Sequence, residues 1–154
     1  MKVIFLDYDG VVNTPMWSSK NGVFRCQFGF PCDNKVNNWQ AVQWVSEFCE
    51  KYRYDVVVSS TWRLDKNYAE CLINGGLREG IKIIGRTPYL PDGTRGDEIS
   101  SWLRDHPEVD GYLIFDDEKD VVNHMTRLVQ CDTGHGFGEK EFNLAVTLDG
   151  ALNK

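Results

Sequence analysis

Apolar residues in this chain come in short runs that end on acidic or hydroxylated side chains, and stretches with helical spacing separate the runs. Val3-Ile4-Phe5-Leu6 stops at Asp7 and Asp9, Val56-Val57-Val58 at Ser59, and Tyr112-Leu113-Ile114-Phe115 at Asp116 and Asp117. Short unbroken apolar runs bounded by polar residues read as strands buried on both faces. The pattern predicts strands over 2–7, 55–59, 81–85, 111–115 and 127–131. It predicts helices over 34–52, where Trp39, Val42, Val45 and Phe48 recur near helical spacing, and over 66–74, stopped by Gly75-Gly76. Further helices are expected over 96–106, with Pro107 as the stop, over 121–126, with Asp120 as the cap, and over 139–148.

Strands that alternate with helical crossovers form a parallel sheet covered by helices on both faces, connected right-handedly. The expected architecture is therefore a doubly wound α/β domain. Two stretches stand outside the alternation: an insertion at about 14–33, rich in aromatics, Gly and Cys, and the loop Gly134-His135-Gly136-Phe137-Gly138. Both follow strands on the functional edge, where such excursions are binding loops or tolerated surface detours.

At 154 residues the chain fits one domain, 1–154, with a core of its own. Its 17 Lys+Arg against 23 Asp+Glu give a net charge of −6, which argues against tight non-specific binding to nucleic acid or to an anionic membrane. A local basic pocket is compatible with that balance. The five cysteines show no paired CxxC spacing and fit a reducing compartment, so a cytoplasmic location is expected. The apolar run before Asp7 is too short for a signal-peptide core or a bilayer span.

Desolvating a carboxylate is expensive, so two acidic clusters at equivalent strand ends call for a shared cation. That is the chemistry of a Mg²⁺ site, with Asp7, Asp9, Asp116 and Asp117 as the expected metal-binding residues. Asp7-Tyr8-Asp9-Gly10-Val11-Val12-Asn13, after its apolar strand, resembles the first motif of the haloacid dehalogenase (HAD) superfamily of phosphohydrolases. Val56-Val57-Val58-Ser59-Ser60 is similar to the second motif of that family, and Phe115-Asp116-Asp117 to the fourth.

The resemblance spans nearly the whole chain. It implies a Rossmann-like HAD fold with a five-stranded parallel sheet of order 3-2-1-4-5 and no full cap domain. The string Ser59-Ser60-Thr61-Trp62-Arg63, with Gly85-Arg86-Thr87-Pro88 and Arg95-Gly96-Asp97-Glu98-Ile99, resembles the small HAD domains of Swiss Army Knife RNA-repair proteins. It is also similar to the 3′-phosphatase half of polynucleotide kinase/phosphatase.

From the resemblance, Asp7 is the expected nucleophile, forming an aspartyl-phosphate, and Asp9 the acid/base that protonates the leaving oxygen and later activates water. Asp117 is the expected direct Mg²⁺ ligand, Asp116 is a ligand directly or through water, and Asp9 contributes its backbone carbonyl. Ser59 is expected to hydrogen-bond a phosphoryl oxygen. Ser60, through its backbone N–H, Gly10 and Arg63 are expected to bind substrate. The third motif supplies a cation; Arg95 is the choice, with Arg86 and Lys82 as alternatives.

Simpler readings apply elsewhere. Asp120 reads as a helix cap, His135 as a solvated loop histidine, and Cys26 and Cys32 as thiols rather than zinc ligands. Trp17, Phe24, Phe28 and Phe30 are expected mainly to pack the insertion, and His106 and His124 have no evident role. The expected partner is a phosphorylated small molecule or a phosphorylated nucleic-acid terminus, the resemblance adds RNA or DNA repair partners, and no membrane partner is expected. A small nucleotide or sugar phosphatase, a non-catalytic Mg²⁺/phosphate-binding module and a phosphoacceptor signalling domain are the alternatives. The last is opposed by the order of the motifs, because Asp-x-Asp closes the first strand here and Asp-Asp the fourth.

Overall fold

A computed structural model describes residues 1–14 and 35–153. Five parallel strands stand in the order β3-β2-β1-β4-β5, where β1 is Lys2–Leu6, β2 Tyr54–Val58, β3 Ile83–Arg86, β4 Gly111–Asp116 and β5 Leu128–Gln130. The helices are α1 (Trp39–Tyr52), α2 (Tyr68–Asn74), α3 (Arg95–Arg104) and α4 (Glu139–Leu152). This is the doubly wound, Rossmann-like sheet that the sequence pattern predicts.

Residues Val3 to Leu6 of the central strand are fully buried because each face of the sheet has its own core. Ile4 and Leu6 join Val42, Val45 and Phe48 of α1 and Ala145 of α4, while Val3 and Phe5 join Ile99 and Trp102 of α3. Strand periodicity divides one apolar run between two helical layers.

Register then sets up the functional edge. Leu6 pairs with both Val58 and Phe115, and Val58 pairs with Arg86. The next residue on each strand therefore falls in one row: Thr87, Ser59, Asp7 and Asp116. Backbone bonds carry the ladder into that row, with Ser59 N donating to Leu6 O (2.9 Å), Asp7 N to Phe115 O (3.0 Å) and Thr87 N to Val58 O (3.0 Å). The row lies where the strand order reverses on either side of β1, the place where open α/β sheets bind ligands.

Two elements differ from expectation. Helix α1 begins at Trp39, because the preceding asparagines are tied to the loop after β1: Thr14 N donates to Asn37 Oδ1 (2.9 Å), and Asn38 Oδ1 caps Ala41 N (3.0 Å). The helix expected over 121–126 does not form. Val121 and Val122 are β-branched, Asn123 takes a left-handed φ of 71°, and His124 is held between Ser100 and Tyr112, so only a 3-10 turn, Met125–Arg127, follows. Asp120 instead accepts the Gly96 N–H through its carbonyl (2.9 Å).

The glycine-rich loop is fastened to the domain by Phe137, which is buried, stacks on Phe115 at 4.5 Å and donates its N–H to Val11 O (2.8 Å). Cys49, Cys71 and Cys131 are buried. The expectations for Trp17, Phe24, Cys26, Phe28, Phe30 and Cys32, like most of the insertion, lie outside the described residues. Among the described residues no helix is long and apolar enough to cross a membrane.

Candidate active site

Asp7 and Asp116 sit side by side at the ends of β1 and β4, 6% and 1% exposed. Asp7 Oδ1 accepts the Tyr8 N–H (2.9 Å) and Asp116 Oδ1 the Glu118 N–H (2.9 Å). Asp117 joins them, so that one carboxylate oxygen from each of the three lies within 4.8 Å of the others. Burial, and then the Asp116 charge, push the Asp7 carboxyl well above the usual carboxylate range, with Arg95 opposing. Burial raises Asp116 to about 6, again against Arg95.

This donor set fits Mg²⁺. Hard carboxylate oxygens converge, and Asp116 Oδ2 is buried with no hydrogen-bond partner, an arrangement that a bound divalent cation satisfies. Asp7, Asp116 and Asp117 are the residues whose side chains would hold it. Asp117 is itself steered by Thr133, whose hydroxyl donates to Asp117 Oδ2 (2.9 Å), and by Gln130 Nε2, which donates to its carbonyl (3.2 Å). Nothing in the local sequence marks Thr133 for this contact, because it lies in the loop after β5.

The Asp9 carboxylate is held elsewhere. Its Oδ1 accepts from Asn13 Nδ2 (2.8 Å) and its Oδ2 from Trp62 Nε1 (3.2 Å). The chain bends sharply between Asp7 and Asn13, and Tyr8 O accepts the N–H groups of Val11, Val12 and Asn13. Gly10 makes that bend possible: its φ is +81°, and a Cβ there would lie 2.3 Å from Asp117 Oδ2. Gly10 thus brings backbone against the acidic cluster.

Among the three third-motif candidates, Arg95 is the one in the cluster. Its Nη1 lies 3.4 Å from Asp7 Oδ1 and 3.3 Å from Asp116 Oδ2, and it donates to the Ser59 carbonyl. Thr94 caps the helix that carries it, in a reciprocal capping box with Asp97. Gly96 lets the helix start approach residues 121–122, since a Cβ there would meet Val122 O at 2.5 Å. Lys82 precedes β3 at the opposite edge, where its carbonyl accepts Val56 N (2.8 Å). Arg86 lies over the Tyr68 ring at 4.8 Å and donates to Arg63 O (2.7 Å).

Ser59 Oγ is buried in the row beside Asp7 without a hydrogen-bond partner. Ser60 uses its hydroxyl to cap the 3-10 turn Thr61–Leu64, accepting Trp62 N (3.2 Å). Arg63, expected to grip phosphate, is 4% exposed and turned inward: Nη2 pairs with Glu98, and Nη1 donates to Ser60 O (2.6 Å). It braces the loop that carries Ser59 and Ser60. Glu98 faces Arg63 from the first turn of α3 and makes the inward position the neutralised one.

His135 behaves as an exposed loop histidine bonded to Asp132 (3.0 Å). Beside Asp117 opens a polar cleft of about 390 Å³, lined in part by Gln130, Asp132, Thr133 and Lys140.

A family model described as the HAD domain in Swiss Army Knife RNA repair proteins matches residues 3–142. A search of curated proteins found no match.

Proposed function

The chain belongs to the family of HAD domains found in Swiss Army Knife RNA repair proteins, and from that premise we propose that it is a Mg²⁺-dependent phosphomonoester hydrolase. Its substrate is a phosphorylated nucleic-acid terminus, a 3′-phosphate in particular. The observation that carries this reading is the row formed by Asp7, Ser59 and Asp116, with the Arg95 guanidinium laid across two of its members.

Asp7 is the nucleophile. Its carboxylate attacks phosphorus, the ester oxygen departs with a proton from Asp9, and an aspartyl-phosphate remains. Asp9, now ionised, takes a proton from water, which attacks the same phosphorus and releases phosphate and Asp7. Ser59 Oγ donates to a phosphoryl oxygen, and Arg95 supplies fixed positive charge where negative charge gathers. Asp7, Asp116 and Asp117 would hold Mg²⁺, whose charge would offset the repulsion between carboxylate and phosphate and favour the ionised form of Asp7.

With a net charge of −6, contact with a polyanion is confined to its terminus. The test is phosphate release from 3′- and 5′-phosphorylated oligonucleotides, mononucleotides and sugar phosphates, each with and without Mg²⁺. Preference for the 3′-phosphorylated ends supports the reading. Preference for mononucleotides or sugar phosphates replaces the substrate while keeping the chemistry, and Mg²⁺ binding without turnover on any of them makes the protein a binding module.

A further inference from the structure

Asp9 has to do two opposite things with one carboxyl group, giving a proton to the leaving oxygen and then taking one from water. Both require the same oxygen to face the same place in either charge state. A carboxylate free to turn about its own side chain does not meet that demand, and the carboxylate of Asp9 is not free to turn. Asn13 Nδ2 reaches Oδ1 and Trp62 Nε1 reaches Oδ2, one donor on each oxygen. Each oxygen keeps a further lone pair for the travelling proton.

Both donors are neutral, so they fix orientation without the strong bias toward the ionised form that a lysine or arginine partner would impose. Asn13 is itself immobilised, 1% exposed, with its Oδ1 accepting Asn37 N (3.1 Å). Trp62 is 2% exposed and stands edge-on to Tyr8, ring centroids 5.2 Å apart. It also belongs to the turn that begins at Ser60, directly after Ser59, and Arg63 braces that turn from beneath.

We propose that Trp62 is a positioning residue for Asp9: its indole N–H aims the acid/base carboxyl and ties that aim to the same loop that carries Ser59. The inference rests on the hydrolase reading and deepens it. The loop after β2 then serves phosphate recognition and proton transfer together, and a disturbance of one is felt by the other.

The test replaces Trp62 by its benzothienyl isostere, which keeps the ring and lacks the N–H, with Trp62→Phe as a second variant. kcat/KM is measured on phosphate esters graded by leaving-group pKa, from 4-nitrophenyl phosphate to simple alkyl phosphates. An ester whose alcohol leaves poorly needs the proton and one that leaves readily does not. The expected result is a fall of about ten-fold or more on alkyl esters and a much smaller fall on 4-nitrophenyl phosphate, a steeper dependence than in the native protein. An equal fall across the series, or none, overturns the role of Trp62 while leaving the hydrolase reading intact. A native protein inert both toward these esters and toward the 3′- and 5′-phosphorylated oligonucleotides overturns the hydrolase reading, and the role of Trp62 falls with it.

Discussion

Arg95 Nη1 stands 3.4 Å from Asp7 Oδ1, and the same nitrogen lies 3.3 Å from Asp116 Oδ2. One guanidinium therefore offsets two of the three clustered carboxylates before any metal arrives. It does so from the first turn of a capped helix, so its position is fixed by backbone rather than by side-chain chance. Replacing Arg95 by Met is expected to lower turnover by about 10²-fold or more, the usual cost of losing one aimed donor. Without Mg²⁺ the variant should also melt at lower temperature than the native protein, and saturating Mg²⁺ should narrow the gap. Steady-state kinetics and paired melting curves check both.

The raised carboxyls make stability depend on pH in a definite direction. Asp116 titrates at about 6 in the folded chain against an ordinary 3.8, and Asp7 is raised as well. Between those limits the folded state holds more protons than the unfolded one, so the metal-free protein gains stability from Asp116 as pH falls from about 6 toward 4 and loses it as pH rises. Mg²⁺ should abolish that slope by favouring the ionised form. Asp116→Asn should melt higher than the native chain at pH 7.5 without metal and respond less to added Mg²⁺. Thermal melts across pH, with and without the cation, read out each of these effects.

His124 works in the opposite sense. Burial lowers its pKa, and the ring is bonded to Ser100 Oγ (2.7 Å) and Tyr112 OH (2.6 Å). The unfolded chain then takes up the proton first, so the stability present above the ordinary histidine value of 6.5 is lost as pH falls below it. In the double variant Asp7→Asn/Asp116→Asn, where both raised carboxyls are silenced, acid destabilisation beginning near pH 6.5 should stand out in chemical denaturation.

Gly10→Ala tests how the bend after Asp7 serves the acidic cluster. The new Cβ would lie 2.3 Å from Asp117 Oδ2 in a backbone conformation with φ +81°. The expected cost is on the order of 1–3 kcal/mol of stability. Displacement of Asp117 should also weaken Mg²⁺ binding by about ten-fold or more. Urea denaturation and calorimetric Mg²⁺ titration separate the two effects.

Glu98→Ala leaves the Arg63 guanidinium buried without its counter-ion. Breaking such a pair costs about 3–5 kcal/mol, far more than removing a surface salt bridge. Urea denaturation should show that loss. The double variant Arg63→Met/Glu98→Ala should recover part of it, because no unpaired charge then remains inside.

The strands and acidic motifs were legible because each is local: an apolar run, then the residue that leaves the sheet. Asp7, Ser59 and Asp116 could be placed on one edge from the strand pattern, and register turned that edge into a row. The inward turn of Arg63 was not legible, since it depends on Glu98, 35 residues away. The Trp62 contact with Asp9 spans 53 residues, and the missing helix at 121–126 depends on how His124 packs against α3 and β4. Arg95 was the choice from sequence, and the fold supplies the reason the sequence lacked: it sends Lys82 to the opposite edge and holds Arg86 against Tyr68.

The central claim is that Asp7 becomes phosphorylated. Protein turning over a phosphate ester with Mg²⁺ would be quenched with borohydride, which reduces an acyl phosphate to the alcohol, and the peptide containing residue 7 examined by mass spectrometry. The account predicts homoserine at position 7, dependent on both substrate and Mg²⁺ and absent from Asp7→Asn. Turnover that leaves Asp7 unmodified, or that survives in Asp7→Asn, would contradict it.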